Sequence, residues 1–112
     1  MNESDRLVLE QMLGYCDKID ERIEAFGIDE DSFVSNSAHF DMLLMPIFQV
    51  GELVNALSDE FVESDRDIPW HAIRGFRNII GHDYGVVDPL WAWNTVQVDI
   101  PGLARHLREL ID

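Results

Sequence analysis

From Ser4 to Phe26 the apolar residues Leu9, Met12, Cys16, Ile19, Ile23 and Phe26 recur at steps of three and four, the spacing of a helix with one buried stripe. Gly27 then stands where a left-handed glycine ends such a helix. A second long helix is predicted from near Ser37 to about Leu57, with Met42, Met45, Val50, Leu53, Val54 and Leu57 among its apolar positions. Pro46 falls inside it. A proline there removes one backbone donor and crowds the preceding turn, so a kink is expected and not two separate helices. Between the two helices, Asp29-Glu30-Asp31-Ser32 lacks the alternating ligands and central glycine of a calcium loop and reads as a solvated turn. After the polar stretch from Ser58 to Asp67, prolines mark three further starts: Asp67-Ile68-Pro69-Trp70, Asp88-Pro89 and Asp99-Ile100-Pro101. They open helices over 70–84, 90–98 and 102–111. Strand alternation is nearly absent, and no internal repeat appears. The pattern predicts an all-α fold, a small up-and-down bundle of about four to five helices.

Residues 70 to 84, set on a helix at about 100° per residue, divide into two faces. Ala72, Ile73, Phe76, Ile79 and Ile80 share an arc of roughly 120°, a core face. Trp70, His71, Arg74, Arg77, Asn78, Gly81 and His82 fall opposite. Glycine costs about 1 kcal/mol against alanine in a helix interior, so Gly81 suggests a need for space, a notch between Arg77 and His82. Arginine can hold a phosphate through two hydrogen bonds, and histidine can move a proton near neutral pH. The chemistry that wants this pair is phosphodiester cleavage, and with RNA the 2′-hydroxyl can act as nucleophile without a metal. Yet positions five apart diverge by about 140° on an ideal helix. Arg77 and His82 would therefore converge only across a partner surface or at a distorted helix end.

Composition narrows the setting. With 112 residues, 46% of them hydrophobic, the chain is expected to form one domain over 1–112. No apolar run approaches the roughly 18 residues of a membrane span, and the start Met1-Asn2-Glu3-Ser4-Asp5 is too acidic for a secretory signal, so a cytoplasmic protein with no membrane partner is expected. Cys16, the only cysteine, falls at a core position. The net charge of −14 argues against a general nucleic-acid binder. Within residues 66–82, however, Arg66, Arg74 and Arg77 against Asp67 alone make a local +2, leaving −16 elsewhere. Such an island suits one chosen anion. His39 and His106 show no metal-ligand spacing, and His71 and His82 stand too far apart to share an ion. Neither a metal nor another cofactor is implied.

Arg77-Asn78-Ile79-Ile80-Gly81-His82 resembles the R-x-x-x-x-H motif of the HEPN superfamily, and Asp83-Tyr84 completes the H-x-Y extension of its HepT-like toxin branch. Gly51-Glu52 looks like that branch's Gly-Glu pair. Trp70 before the motif, and Gly85-Val86-Val87-Asp88 with Trp91 after it, resemble its flanks. The resemblance implies a homodimeric α-helical bundle in which two motif helices face each other across a shared cleft. It further implies a metal-independent endoribonuclease acting as a toxin on RNA, paired with an MNT-type nucleotidyltransferase antitoxin. On this resemblance His82 is the general acid or base, Arg77 the phosphate and transition-state stabiliser, and Asn78 a positioning group. Tyr84 matches the tyrosine that such antitoxins modify with AMP. If the helix continues, Tyr84 lies two turns from Arg77, where an added phosphate would repel RNA. Arg74 and His71 are candidate RNA contacts. The alternative is a non-catalytic HEPN partner of a nucleotidyltransferase, a reading the net charge favours.

Overall fold

Helix α1 (Glu3–Phe26) begins at Asn2, whose side chain accepts the Asp5 N–H at 2.7 Å, and ends at Gly27 with φ 60°. The computed structural model describes residues 1–112 and contains helices and turns but no strand. Helix α3 (Ser37–Val54) runs through Pro46 without interruption. Because proline has no N–H, the carbonyl four residues earlier, that of Met42, loses its helical donor. The Arg22 guanidinium of α1 donates to it instead, at 2.6 Å. One proline thus becomes a tie between two helices.

The sequence pattern is corrected in two short segments. Asp29-Glu30-Asp31-Ser32 is more than a solvated turn: Asp29 and Ser32 bond each other's backbone N–H in a capping box that opens α2 (Glu30–Ser35). That helix seats Phe33 in the core against Phe40 and Trp93, with ring centroids 5.1 and 5.3 Å apart. Within the polar stretch, Ser58 caps α4 (Asp59–Ser64), which carries Phe61 to the core. The buried Asp5 carboxylate ties this turn to α1 by accepting from the Ser58 N–H at 2.8 Å and hydroxyl at 2.6 Å. Six residues with one apolar anchor cannot display a helical period.

Helix α5 (Trp70–His82) follows, then a 3-10 turn (Tyr84–Val86). Asp67 does not cap α5, since Pro69 stands at the cap position and no side chain bonds there. Nor does Pro101 open a separate helix. Helix α6 (Pro89–Asn94), a π turn (Thr95–Asp99) and α7 (Ile100–Ile111) run on continuously, so the four to five expected helices are six. Pro101 cannot donate to Gln97 and its ring needs room there. The wider π turn, in which the Ile100 N–H bonds the Thr95 carbonyl, is the physical accommodation.

A single cluster of 24 buried apolar residues fills the interior, with Cys16 among them. Burial above all, and the nearby Asp17 and Asp20 charges, push the Cys16 thiol up to about 12. Helix α3 lies between α1 and α5, and α7 packs on α1. Two cross-links hold that last pair: Arg108 donates to Asp17 and Arg6 to the Ile111 carbonyl, both at 2.6 Å. No helix is long and apolar enough to cross a membrane.

The contact of α3 with α5 is set by Gly51. A Cβ there would stand 2.7 Å from the Arg77 backbone nitrogen and 3.0 Å from the Ile73 carbonyl oxygen. Backbone atoms cannot swing aside, so Gly51→Ala is expected to destabilise the fold by about 1–3 kcal/mol through overpacking. Gly14, on the exposed side of α1, meets nothing within 4 Å. Gly14→Ala should instead stabilise by about 0.5–1 kcal/mol through helix propensity. Urea unfolding of both variants checks the contrast, and equal effects would show that the α3–α5 approach is not tight.

Candidate functional site

The side chains of residues 70–84 meet α3 in register, and α3 runs antiparallel to them. Glu52 stands one turn along α3 from Phe48, and Phe48 two turns from Asp41, so the three lie near one face of α3. Their partners descend the other chain segment. Glu52 accepts from Arg77 Nε, Phe48 covers Gly81, and Asp41 accepts from the Tyr84 hydroxyl.

Arg77 is therefore not a free cation on an open face. Its guanidinium is half exposed and paired with Glu52, and Nη1 reaches Asn78 Oδ1 at 3.4 Å. Glu52 offsets part of the positive island. An exposed pair of this kind contributes only about 0–1 kcal/mol, because water screens it. At the start of α5, Arg74 donates to His71 Nδ1 at 2.6 Å, so this ring nitrogen acts as an acceptor.

His82 is the last residue of α5 and is exposed. It opens on a groove of about 520 Å³ lined also by Asn78, Ile79, Asp83, Val86, Val87, Asp88 and Trp91. Arg77 is not among the lining residues. Within one chain the divergence expected from five-residue spacing remains, with Asn78 between the two positions.

Four placements differ from the helical wheel. Trp70 is only 2% exposed and packs on Phe61 of α4, since a helix end can be covered by a neighbouring element that the wheel does not know about. Ile79, placed on the core arc, is 49% exposed at the groove, and Ala72 is exposed as well. Gly81 leaves no notch between arginine and histidine, because a Cβ there would stand 3.1 Å from the Phe48 ring. The glycine makes room for α3.

Nor does the helix carry Tyr84 along the line of Arg77. Asp83 leaves helical geometry with φ −151° and ψ 90°, and the 3-10 turn swings Tyr84 toward α3. There its ring meets Phe40 edge-to-face at 6.0 Å and its hydroxyl meets Asp41. Burial first, then the hydrogen bond to Asp41 and the charge of that carboxylate, hold the phenol above its ordinary range.

One grouping that spacing did not signal joins α7 to the segment before α5. His106 Nε2 lies 2.9 Å from Asp65, and ligand atoms of Asp65, Asp67 and His106 lie within 4.8 Å of one another. Such a set has the chemistry to hold a cation, and the hydrogen bond of His106 with Asp65 anchors the segment that leads into Trp70.

The model of the ribonuclease HepT-like family matches residues 12–110 of this chain. The chain belongs to that family. A candidate RNase of Caldanaerobacter subterraneus subsp. tengcongensis is 29% identical to this HepT-like chain over 109 residues, 97% of it and 96% of the relative. Two candidate RNases of Methanocaldococcus jannaschii are each 26% identical, over 80 and 84 residues, or 71% and 75% of this chain and 73% and 72% of theirs. No solved structure matches the HepT-like chain.

The phenol gives a pH signature. Unfolded tyrosine ionises near about 10, and the folded Tyr84 value is higher, so its contribution to stability is fully present below about pH 10 and lost as pH rises through the folded value. The stability difference between the native chain and Tyr84→Phe should be level from about pH 7 to 9 and shrink toward pH 11. Urea unfolding across that range reads it, and a difference unchanged at the alkaline end would contradict the Tyr84–Asp41 bond.

Proposed function

We propose that the chain is a metal-independent endoribonuclease acting as a toxin, with Arg77 and His82 as its catalytic pair. The observation that carries this reading is that His82 closes α5 on an open groove while Arg77, one and a half turns earlier, points its guanidinium to Glu52. One chain holds both chemistries but does not bring them together. A homodimer would complete the set, with the motif helix of a second copy facing the first. The apolar rim suits such a partner: Ile79 is 49% and Val86 74% exposed beside His82. Membership of a ribonuclease family and relatives named as candidate RNases support RNA as substrate.

In the proposed reaction His82 removes the proton of a 2′-hydroxyl, whose oxygen attacks the adjacent phosphorus as the 5′-oxygen departs. Arg77 leaves Glu52 for the phosphate, where two hydrogen bonds offset the charge growing on the non-bridging oxygens. Asn78, already in contact with Arg77, positions the guanidinium. Arg74 and His71 extend the surface that RNA would cross. An MNT-type nucleotidyltransferase would act as the antitoxin by adding AMP to Tyr84, two residues beyond His82, placing bulk and negative charge at the groove.

A second reading, a non-catalytic partner of a nucleotidyltransferase, is favoured by the net charge of −14 and by Glu52 standing on Arg77. Cleavage of RNA by purified protein separates the two. His82→Ala or Arg77→Ala is expected to lower the rate at least about a hundredfold, the low end for removing a proton-transfer group. Cleavage undiminished in both variants would sink the assigned roles. Expressed alone, the native chain should arrest growth and the His82→Ala variant should not. Growth unaffected by the native chain would favour the second reading.

A further inference from the structure

We infer that Asp41 and Tyr84 form a base–nucleophile pair, Asp41 being the group that takes the phenolic proton when Tyr84 accepts a nucleotidyl group. The inference rests on the reading above that Tyr84 is a modification site, and adds to it the residue that makes the oxygen reactive.

Geometry carries the argument. The Tyr84 hydroxyl donates to Asp41 Oδ1, across 43 positions of sequence, while 38% of the residue remains open to solvent. A proton acceptor in contact with the nucleophilic oxygen, and a nucleophile still reachable from outside, are the two requirements of an activated hydroxyl. The ring is held besides by Phe40, the neighbour of Asp41 in α3, so the oxygen is aimed by two adjacent residues of a rigid helix. The other tyrosine, Tyr15 of α1, has no such side-chain partner. Since the phenol of Tyr84 is held above its ordinary range, free phenolate is scarce, and transfer of the proton during attack is the available route.

In the step, Tyr84 Oη bonds to the α-phosphorus of a nucleoside triphosphate supplied by the partner nucleotidyltransferase. The bond from that phosphorus to the oxygen bridging to the β-phosphate breaks. Pyrophosphate leaves with the electron pair, and the proton passes to the Asp41 carboxylate. The product oxygen has no hydrogen left to donate, and its phosphodiester anion repels Asp41 once that group loses its proton to water. The modified residue therefore parts from α3 and the Asp83–Val87 turn beside His82 is released.

The pair can be tested without the partner enzyme, using an arylsulfonyl fluoride that carries adenosine. Its sulfur takes a phenol oxygen as fluoride leaves. Peptide mass spectrometry is expected to find Tyr84 labelled faster than Tyr15, and Asp41→Asn, which keeps the size and an accepting oxygen but not the basicity, to slow Tyr84 at least about a hundredfold. A fluorinated tyrosine at position 84, whose phenol ionises more readily, should restore labelling in Asp41→Asn, a rescue that a purely structural role would not produce. Equal labelling of Tyr84 in the native and Asp41→Asn proteins, or of Tyr84 and Tyr15 in the native protein, would overturn the inference. Failure of the tyrosine-control reading itself has a different signature: Tyr84 reacts with the fluoride in an Asp41-dependent way, yet the partner nucleotidyltransferase with ATP adds AMP elsewhere or nowhere.

Discussion

Everything about the candidate site depends on how closely α3 and α5 approach at Gly51. Where a Cβ would have met the Arg77 backbone nitrogen at 2.7 Å, the hydrogen of glycine lets the two helices touch. That contact sets the depth of the whole antiparallel pair. From it follow the reach of Glu52 to Arg77 and the seating of Phe48 on Gly81. Two turns beyond Phe48, it sets the reach of Asp41 to Tyr84. Two glycines on opposite helices thus do the same job, at Gly51 for backbone and at Gly81 for a ring. A side chain at Gly51 would push the two backbones apart, whereas one at Gly81 would require the Phe48 ring to give by a few tenths of an ångström.

Helix α3 is consequently more than core. Its apolar face holds Leu43, Leu44, Ile47 and Val50 among the buried residues, while Asp41 and Glu52 at its margins each engage one member of the Arg77–Tyr84 segment. Pro46 could have weakened this support by freeing the Met42 carbonyl, and Arg22 of α1 satisfies it. The carbonyl sits one residue from Asp41, so the bond steadies the part of α3 that receives Tyr84.

The long helices were legible in sequence because burial repeats within them: Leu9, Met12, Cys16 and Ile19 are buried as their spacing requires, although Phe26, set on the same stripe, is exposed at the end of α1. The motif was legible as residue types in order. What could not be read was anything decided by a neighbour distant in sequence. Trp70 is polar on the wheel and buried by Phe61, and Gly81 resembles a notch and receives Phe48. Tyr84 looks like an extension of α5 and turns to α3. The short α2 and α4 were hidden for a related reason, since each depends on one aromatic anchor and a cap. The fusion of α6 with α7 was hidden because proline at position 101 is compatible with a helix start and with a π turn, and only the packing of α7 on α1 distinguishes them.

Glu52 bears on how an acidic chain could bind RNA at all. With a net charge of −14, most of its surface repels a polyanion, and the arginine best placed to receive a phosphate already has a carboxylate beside it. Yet the pair is exposed and contributes no more than about 1 kcal/mol, whereas a two-point hydrogen bond to phosphate is among the stronger polar contacts. Exchange of one anion for the other therefore costs little at Arg77. Indiscriminate binding gains little from that exchange, because most of the remaining surface is acidic. On the proposed reading the acidic body and the Glu52–Arg77 pair act together. The body rejects RNA in general, and the pair holds the guanidinium in place until a phosphate is delivered between it and the His82 groove of a second copy.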